Sequence, residues 1–336
     1  MRFAAGLSIA ATALACSSEG KRTPPTEERG PVVVTFNTGT TEALGHDAPP
    51  DDGYGEEQAV SSDLHYGDGL AWLDVVQDTK AFLAELQPDL IVFQEIFYSG
   101  DCAMVPAEAK PGFVCETWQP GDPTVVQVIL GEGYQVACHL GKNDKCAAVK
   151  RSFGSFVDCE EDFCLEGLDG AEVMDCGSGS RVGRGVVELV DGGTLTVVNV
   201  HGSSGLNQED QDCRREQFIQ VFEDMGAGDG PAANGQRNLV MGDFNTDPQL
   251  NADFDESAAK VLEHVGEGRA YHFISDAALD SPKSYAGLFN IDHVVSDTFA
   301  GSCWVAGLTE GHPEVSGIRY FDHKPVVCEL HAVSTP

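Results

Sequence analysis

Six places in the 336-residue chain put polar side chains at or near the edge of a short apolar run: Asn37, Glu95, His201, Asp243 with Asn245, Asp292, and Asp322 with His323. Such edges are where a sheet presents side chains to a ligand. Singly, each has a plain structural reading: Asn37 as a strand terminator, Glu95 as a surface charge, residues 243–245 as a turn. Together they are the parts of a metal-dependent phosphate site. Glu95 is a hard oxygen ligand suited to Mg2+, which keeps several waters and needs only one or two carboxylates. Asp243 and Asn245 are two apart, so an extended backbone projects both to one side. The carboxylate there orients an attacking water while the amide holds a phosphate oxygen. His201 and His323 supply proton transfer and charge stabilisation, worth about 10²- to 10⁴-fold. His201 shares a strand face with Asn199, Val197 and Leu195, so an apolar face turns polar toward one end.

Regular elements must carry these residues. A β-rich run at 31–36 ends at Asn37, and a buried strand at 90–93 ends at Gln94 and Glu95. Between them, Leu73, Val76, Leu83 and Leu86 mark one face of a helix over 70–86, stopped by Pro88. The pattern predicts further helices at 125–130, 212–225 and 257–265, and strands near 134–138, 147–151, 239–241, 291–295 and 325–331. Residues 185–190 and 194–200, joined by Asp191, Gly192 and Gly193, form a β-hairpin. That hairpin makes the sheet mixed, and no Gly-rich phosphate loop follows the first strand, which argues against a parallel nucleotide-binding sheet. The expected fold is α/β (α+β), two packed mixed β-sheets flanked by helices. Residues 39–79 hold ten acids and no Lys or Arg, and 39–68 reads as a long acidic loop. Residues 100–180 read as a Cys-rich insertion.

Composition narrows the setting. With 20 Lys plus Arg against 54 Asp plus Glu, the net charge of −34 opposes any partner held by a broad basic face, such as duplex DNA. It leaves room for an anionic substrate held locally by a metal. Residues 1–15 read as an export signal, and Ala13, Leu14, Ala15 and Cys16 resemble a lipoprotein processing site, with 16–30 as a disordered tether. The expectation is an exported chain, secreted or membrane-anchored through lipid on Cys16. Losing Arg2 with the signal takes the charge from −34 to −35. Setting Cys16 aside leaves ten cysteines, an even number that predicts up to five disulfides with unreadable pairing. Zinc is the rival, weakened by the lack of any Cys-x-x-Cys pair.

In order and approximate spacing, Asn37, Gln94-Glu95, residues 198–201 (Val-Asn-Val-His), 242–245 (Gly-Asp-Phe-Asn), 291–293 (Ile-Asp-His) and 322–326 (Asp-His-Lys-Pro-Val) resemble the endonuclease/exonuclease/phosphatase superfamily. The resemblance covers about residues 31–332 and implies a four-layer αββα sandwich. It implies Glu95 as principal metal ligand, assisted by Asn37, with Asp322 as a second acidic ligand. It makes Asp243 the group that activates water and Asn245 a phosphate ligand. His323, oriented by Asp292, would act at the scissile phosphate, and His201 would be an acid or phosphate contact. Arg184 would add a substrate contact. Phe321 stands where many members have Ser.

The implied activity is Mg2+-dependent hydrolysis of a phosphodiester by in-line attack of water, nuclease-like, with Mn2+ or Ca2+ as substitutes and a monomeric chain. The first alternative is a sphingomyelinase-like phosphodiesterase acting on phospholipid head groups. The second, from another class, is a non-catalytic binding module on the same fold, which should have lost Glu95, Asp243 or His323.

Overall fold

Residues Val32–Asn37 form strand β1, and every side chain along it is buried. Both faces are therefore covered: Val32, Val34 and Phe36 enter one apolar cluster while Val33 enters another. That alternation is the period-two geometry of a strand lying between two layers. The computed structural model describes residues 30–40, 53–176, 181–226 and 228–332. The expected signal, Cys16 and the tether up to residue 29 fall outside these residues, as does 41–52 of the acidic segment.

After β1 come α1 (Glu56–Tyr66), α2 (Leu73–Leu86), β2 (Leu90–Gln94), α3 (Val125–Leu130), β3 (Tyr134–His139), β4 (Lys142–Lys150), β5 (Gly154–Phe156) and β6 (Phe163–Ala171). The chain continues with β7 (Val182–Leu189), β8 (Thr194–His201), α4 (Gln208–Phe222), β9 (Asn238–Asp243), α5 (Pro248–Asn251) and α6 (Glu256–His264). It ends with β10 (His272–Phe273), β11 (Asp292–Ser296), β12 (Phe299–Val305) and β13 (Val326–Ala332). The strands join in one ladder, β10-β11-β9-β8-β7-β6-β3-β4-β2-β1-β13-β12, with β5 beside β7. β1 with β2, β8 with β9, and β3 with β6 are parallel pairs in an otherwise antiparallel ladder.

The ladder curls at β6. Its first part pairs with β3, and its last three residues pair with β7. The two halves face each other across a core of Val33, Val92 and Ala147 from one side and Leu195, Val197 and Met241 from the other. α1, α2 and α3 cover one outer face, and α4 and α6 cover the other. The expected mixed sandwich is thus present, as two halves of one continuous sheet.

Two segment readings change. The acidic segment is not all loop, because 56–66 is helical, with Ala59, Ser62 and Tyr66 buried at helical spacing. Glu56 and Glu57 lie in the first turn, where the helix dipole favours acids, so the feature that looked like solvated loop helps the helix start. The stretch 100–180 is not a mere insertion either. It supplies β3, β4 and β6, which join the two halves of the sheet. It holds seven of the ten described cysteines, and all ten are paired: 102–115, 138–146, 159–164, 176–213 and 303–328. Among the described residues no cysteine is left for zinc. Five disulfides fit an oxidising or extracellular compartment. Among the described residues, no helix is long and apolar enough to cross a membrane.

Candidate active site

Parallel pairing brings the candidate residues together. Asn37 is opposite Gln94 at the ends of β1 and β2, and His201 is opposite Asp243 at the ends of β8 and β9. Antiparallel β11 begins with Asp292 directly beside Asp243. His323 comes from the segment before β13 and meets Asp292, its Nδ1 lying 2.8 Å from Asp292 Oδ2. One end of the sandwich thus gathers side chains from both halves of the sheet. A polar tie crosses the core beneath them, where Gln94 Nε2 donates to Asn199 Oδ1 at 2.7 Å.

Asp243 is central. Its Oδ1 accepts from the backbone N–H of Asn245 at 2.7 Å. Its Oδ2 accepts from Asn245 Nδ2 at 2.8 Å and from Asn37 Nδ2 at 3.0 Å. The same oxygen lies 3.7 Å from His201 Nε2 and 3.8 Å from His323 Nε2. His201 Nε2 is also 3.3 Å from Glu95 Oε1. Because Asp292 takes Nδ1 of His323, Nε2 is the atom turned toward the cluster.

Glu95 and Asn245 both hold left-handed backbone, at φ of 58° and 50°. Non-glycine residues in that region carry strain, which collects where function fixes a side chain. Here the turn after each strand aims its side chain back across the strand ends.

Burial sets the charges. Loss of water pushes Asp322 and Asp243 up to about 7, against partial relief from His323. Glu95 keeps 28% of its side-chain surface open, yet it too is pushed up to about 7 by desolvation. Burial alone would depress His323, but Asp292, Asp243 and Asp322 hold it well above the ordinary histidine range. His201 is driven well below that range, first by burial and then by Lys145 and Arg181.

The oxygens fit a hard divalent cation. Asp322 Oδ1 is buried without a hydrogen-bond partner. A Cβ on Gly39 would overlap Glu95 Oε2 and lie 3.1 Å from Asp322 Oδ1 and 3.2 Å from Asn37 Oδ1, so three oxygens of different residues converge on one small space. Two carboxylates and an amide oxygen suit Mg2+ or a similar ion. Asp243, Asp292 and His323 also cluster closely enough to ligate an ion. His323 and Asp292 are already bonded to one another, however, which favours the Glu95 side. Gly39→Ala should close that space, weakening divalent-cation binding by at least tenfold in a calorimetric titration while the fold persists. Since cation binding requires deprotonated carboxylates, the rise in Tm on adding Mg2+ should be larger at pH 8 than at pH 5. An equal shift at both would detach binding from Glu95 and Asp322.

Arg184 is not brought to the cluster. It pairs in register with Val198, on the face where Val182 and Val200 meet α4, whereas His201 is on the opposite face. Its guanidinium pairs with Asp169 at 2.6 Å. A one-residue step along a strand changes the face, so Arg184 stands apart from the other expected site residues. Several neighbours were invisible in sequence. Tyr285 packs its ring 4.7 Å from that of His323. Lys145, only 4% exposed, pairs with Asp144 at 2.9 Å on the strand beside Glu95. A cavity of about 450 Å³ adjoins Glu95, lined also by Leu64, Phe97, Met104 and Lys142.

No family model matches this chain, and no curated protein matches it. Among solved structures it is similar to a humanized D. rerio TDP2 carrying 14 mutations, at 11% identity and a TM-score of 0.50, over 90% of this chain and 98% of that one. It is likewise similar to the human Nocturnin catalytic domain with bound sulfate anion, at 14% identity and a TM-score of 0.50, over 91% and 94%. At such identities the likeness shows the fold alone. That fold is the sandwich of mixed sheet flanked by helices expected from the sequence.

Proposed function

We propose that this chain is an exported, Mg2+-dependent phosphodiesterase. The observation that carries the reading is the convergence of Glu95, Asp322 and Asn37 oxygens beside Asp243 and the His323–Asp292 pair. The fold shared with a catalytic domain that holds sulfate, a tetrahedral anion like phosphate, is consistent with it.

A divalent cation held by Glu95, Asp322 and Asn37 would neutralise charge on the phosphoryl and leaving oxygens. The chain's own groups do the rest. Asp243 orients the attacking water and takes its proton as the new O–P bond forms and the ester P–O bond breaks. A carboxylate raised to about 7 is well matched to that task at neutral pH. His323, kept protonated by Asp292, donates from Nε2 to a phosphoryl oxygen. Asn245 holds a second oxygen through its amide, and neutral His201 contributes a further N–H contact. The leaving oxygen takes its proton from water.

Nuclease-like cleavage is the first reading of the substrate. A second, cleavage of a phospholipid head group, is favoured by apolar side chains on the loops that carry the site. Leu206 follows His201, Phe254 follows Asn245 and Leu288 precedes Asp292, at 68%, 64% and 62% exposure. A panel of a chromogenic phosphodiester, DNA, RNA, sphingomyelin and inositol phosphates, with Mg2+ and then a chelator, tests the proposal. Turnover that survives the chelator overturns it. Five disulfides support export. The lipid anchor is tested by Cys16→Ser, which should release the protein from membranes.

A further inference from the structure

Arg214, in α4, is 0% exposed and heads the fully buried side chains of the described residues by volume. A guanidinium taken wholly out of water is costly unless its donors are matched. Here they are. Nη1 donates to the backbone oxygens of Ser203 at 2.7 Å and Gly205 at 2.6 Å. Nε donates to Ser257 Oγ at 2.9 Å, and Nη2 to Asp255 Oδ2 at 3.1 Å. One turn further along α4, Gln217 Oε1 accepts from the backbone N–H of Ser203 at 2.9 Å.

Two of these partners, Ser203 and Gly205, lie on the loop that leaves the candidate site after His201, and the other two, Asp255 and Ser257, lie at the start of α6. Residues 202–205 follow His201, and the carbonyl of Gly202 accepts from Asn245 Nδ2 at 3.1 Å. On the other side, Asp255 Oδ2 also accepts from Thr246 Oγ1 at 2.8 Å, and Thr246 is next to Asn245. Asn245 itself holds left-handed backbone, a conformation that relaxes unless its surroundings fix it.

We propose that Arg214 is a positioning residue: through Ser203 and Gly205 on one side and Asp255–Thr246 on the other, it fixes the His201 and Asn245 loops relative to one another. It touches neither substrate nor metal. The inference rests on the phosphodiesterase reading for its kinetic consequence but not for its structural one.

Thr246→Val cuts one link while leaving the guanidinium in place. On a chromogenic phosphodiester with Mg2+, it should lower kcat at least tenfold with KM within twofold. Arg214→Ala should lose at least 100-fold in kcat, and added guanidinium ion should restore at least tenfold in that variant and not in the wild type. Amide hydrogen exchange at 202–206 and 244–247 should speed up at least tenfold in both variants, with β1 and β2 still protected. Unchanged kcat in Thr246→Val, or activity loss that only tracks the unfolded fraction, overturns the proposal. A wild-type protein with no turnover on any diester would sink the phosphodiesterase reading instead. Exchange then decides the brace alone, and unchanged exchange at both loops refutes it.

Discussion

Replacing His323 by alanine is expected to lower kcat by about 10²- to 10⁴-fold, or about 2.7–5.4 kcal/mol of transition-state stabilisation. The reason is the placement of one imidazole. Asp292 fixes Nδ1 at 2.8 Å, three carboxylates keep the ring protonated, and Nε2 is left facing Asp243 and Asp322 at 3.8 and 4.0 Å. No other described group occupies that position with a held proton, since His201 is driven toward its neutral form. The variant also leaves Asp292 buried without its partner, so circular dichroism and Tm must accompany the kinetics. Asp292→Asn keeps the ring but removes the charge that holds its proton, and should show a smaller loss in kcat with KM little changed. Full activity in folded His323→Ala protein would mean that the chemistry lies elsewhere.

Glu95→Gln is expected to weaken binding of Mn2+, used as a spectroscopic stand-in for Mg2+, by at least 100-fold. At fixed Mg2+ it should cost about 10³-fold in kcat/KM, the several kcal/mol typical of lost metal-ion stabilisation. Glutamine keeps the size and tolerates the same backbone, so the change isolates charge. Asp322 and Asn37 remain, and raising Mg2+ should recover part of the loss. The Gly39 space predicts this outcome because Glu95 Oε2 is the oxygen most tightly placed there. Unaltered Mn2+ affinity in the variant would move the cation to the Asp243, Asp292 and His323 group.

Val32 to Asn37 and Leu90 to Gln94 were readable as strands because unbroken apolar runs bounded by turn residues have few other stable conformations. α1 was hidden because its outward face is acidic and its inward face is small, with Ala59 and Ser62 in place of a large apolar stripe. β12 was hidden for a similar reason: Gly301, Ser302 and Cys303 dilute its alternation, and its pairing with β13 is a long-range matter. Disulfide pairing could not be read at all, since cysteines 37 residues apart (Cys176 and Cys213) and 5 apart (Cys159 and Cys164) both pair.

By itself the sequence determined the chemical inventory: hard oxygens, two histidines and an amide at strand edges, an even set of cysteines, and a strongly acidic surface. It also determined which residues share a strand face, because that follows from a period of two. Only the tertiary structure decided that Arg184 lies on the far face while His201, separated by 17 positions, lies on the near one. It alone joined Asn37 to Asp243 across 206 residues, and placed Gly39, Tyr285 and Arg214 where they bear on the site. The physical reason is that strand register and sheet curvature are set by burial of the whole core, a cooperative property that no local window of residues contains.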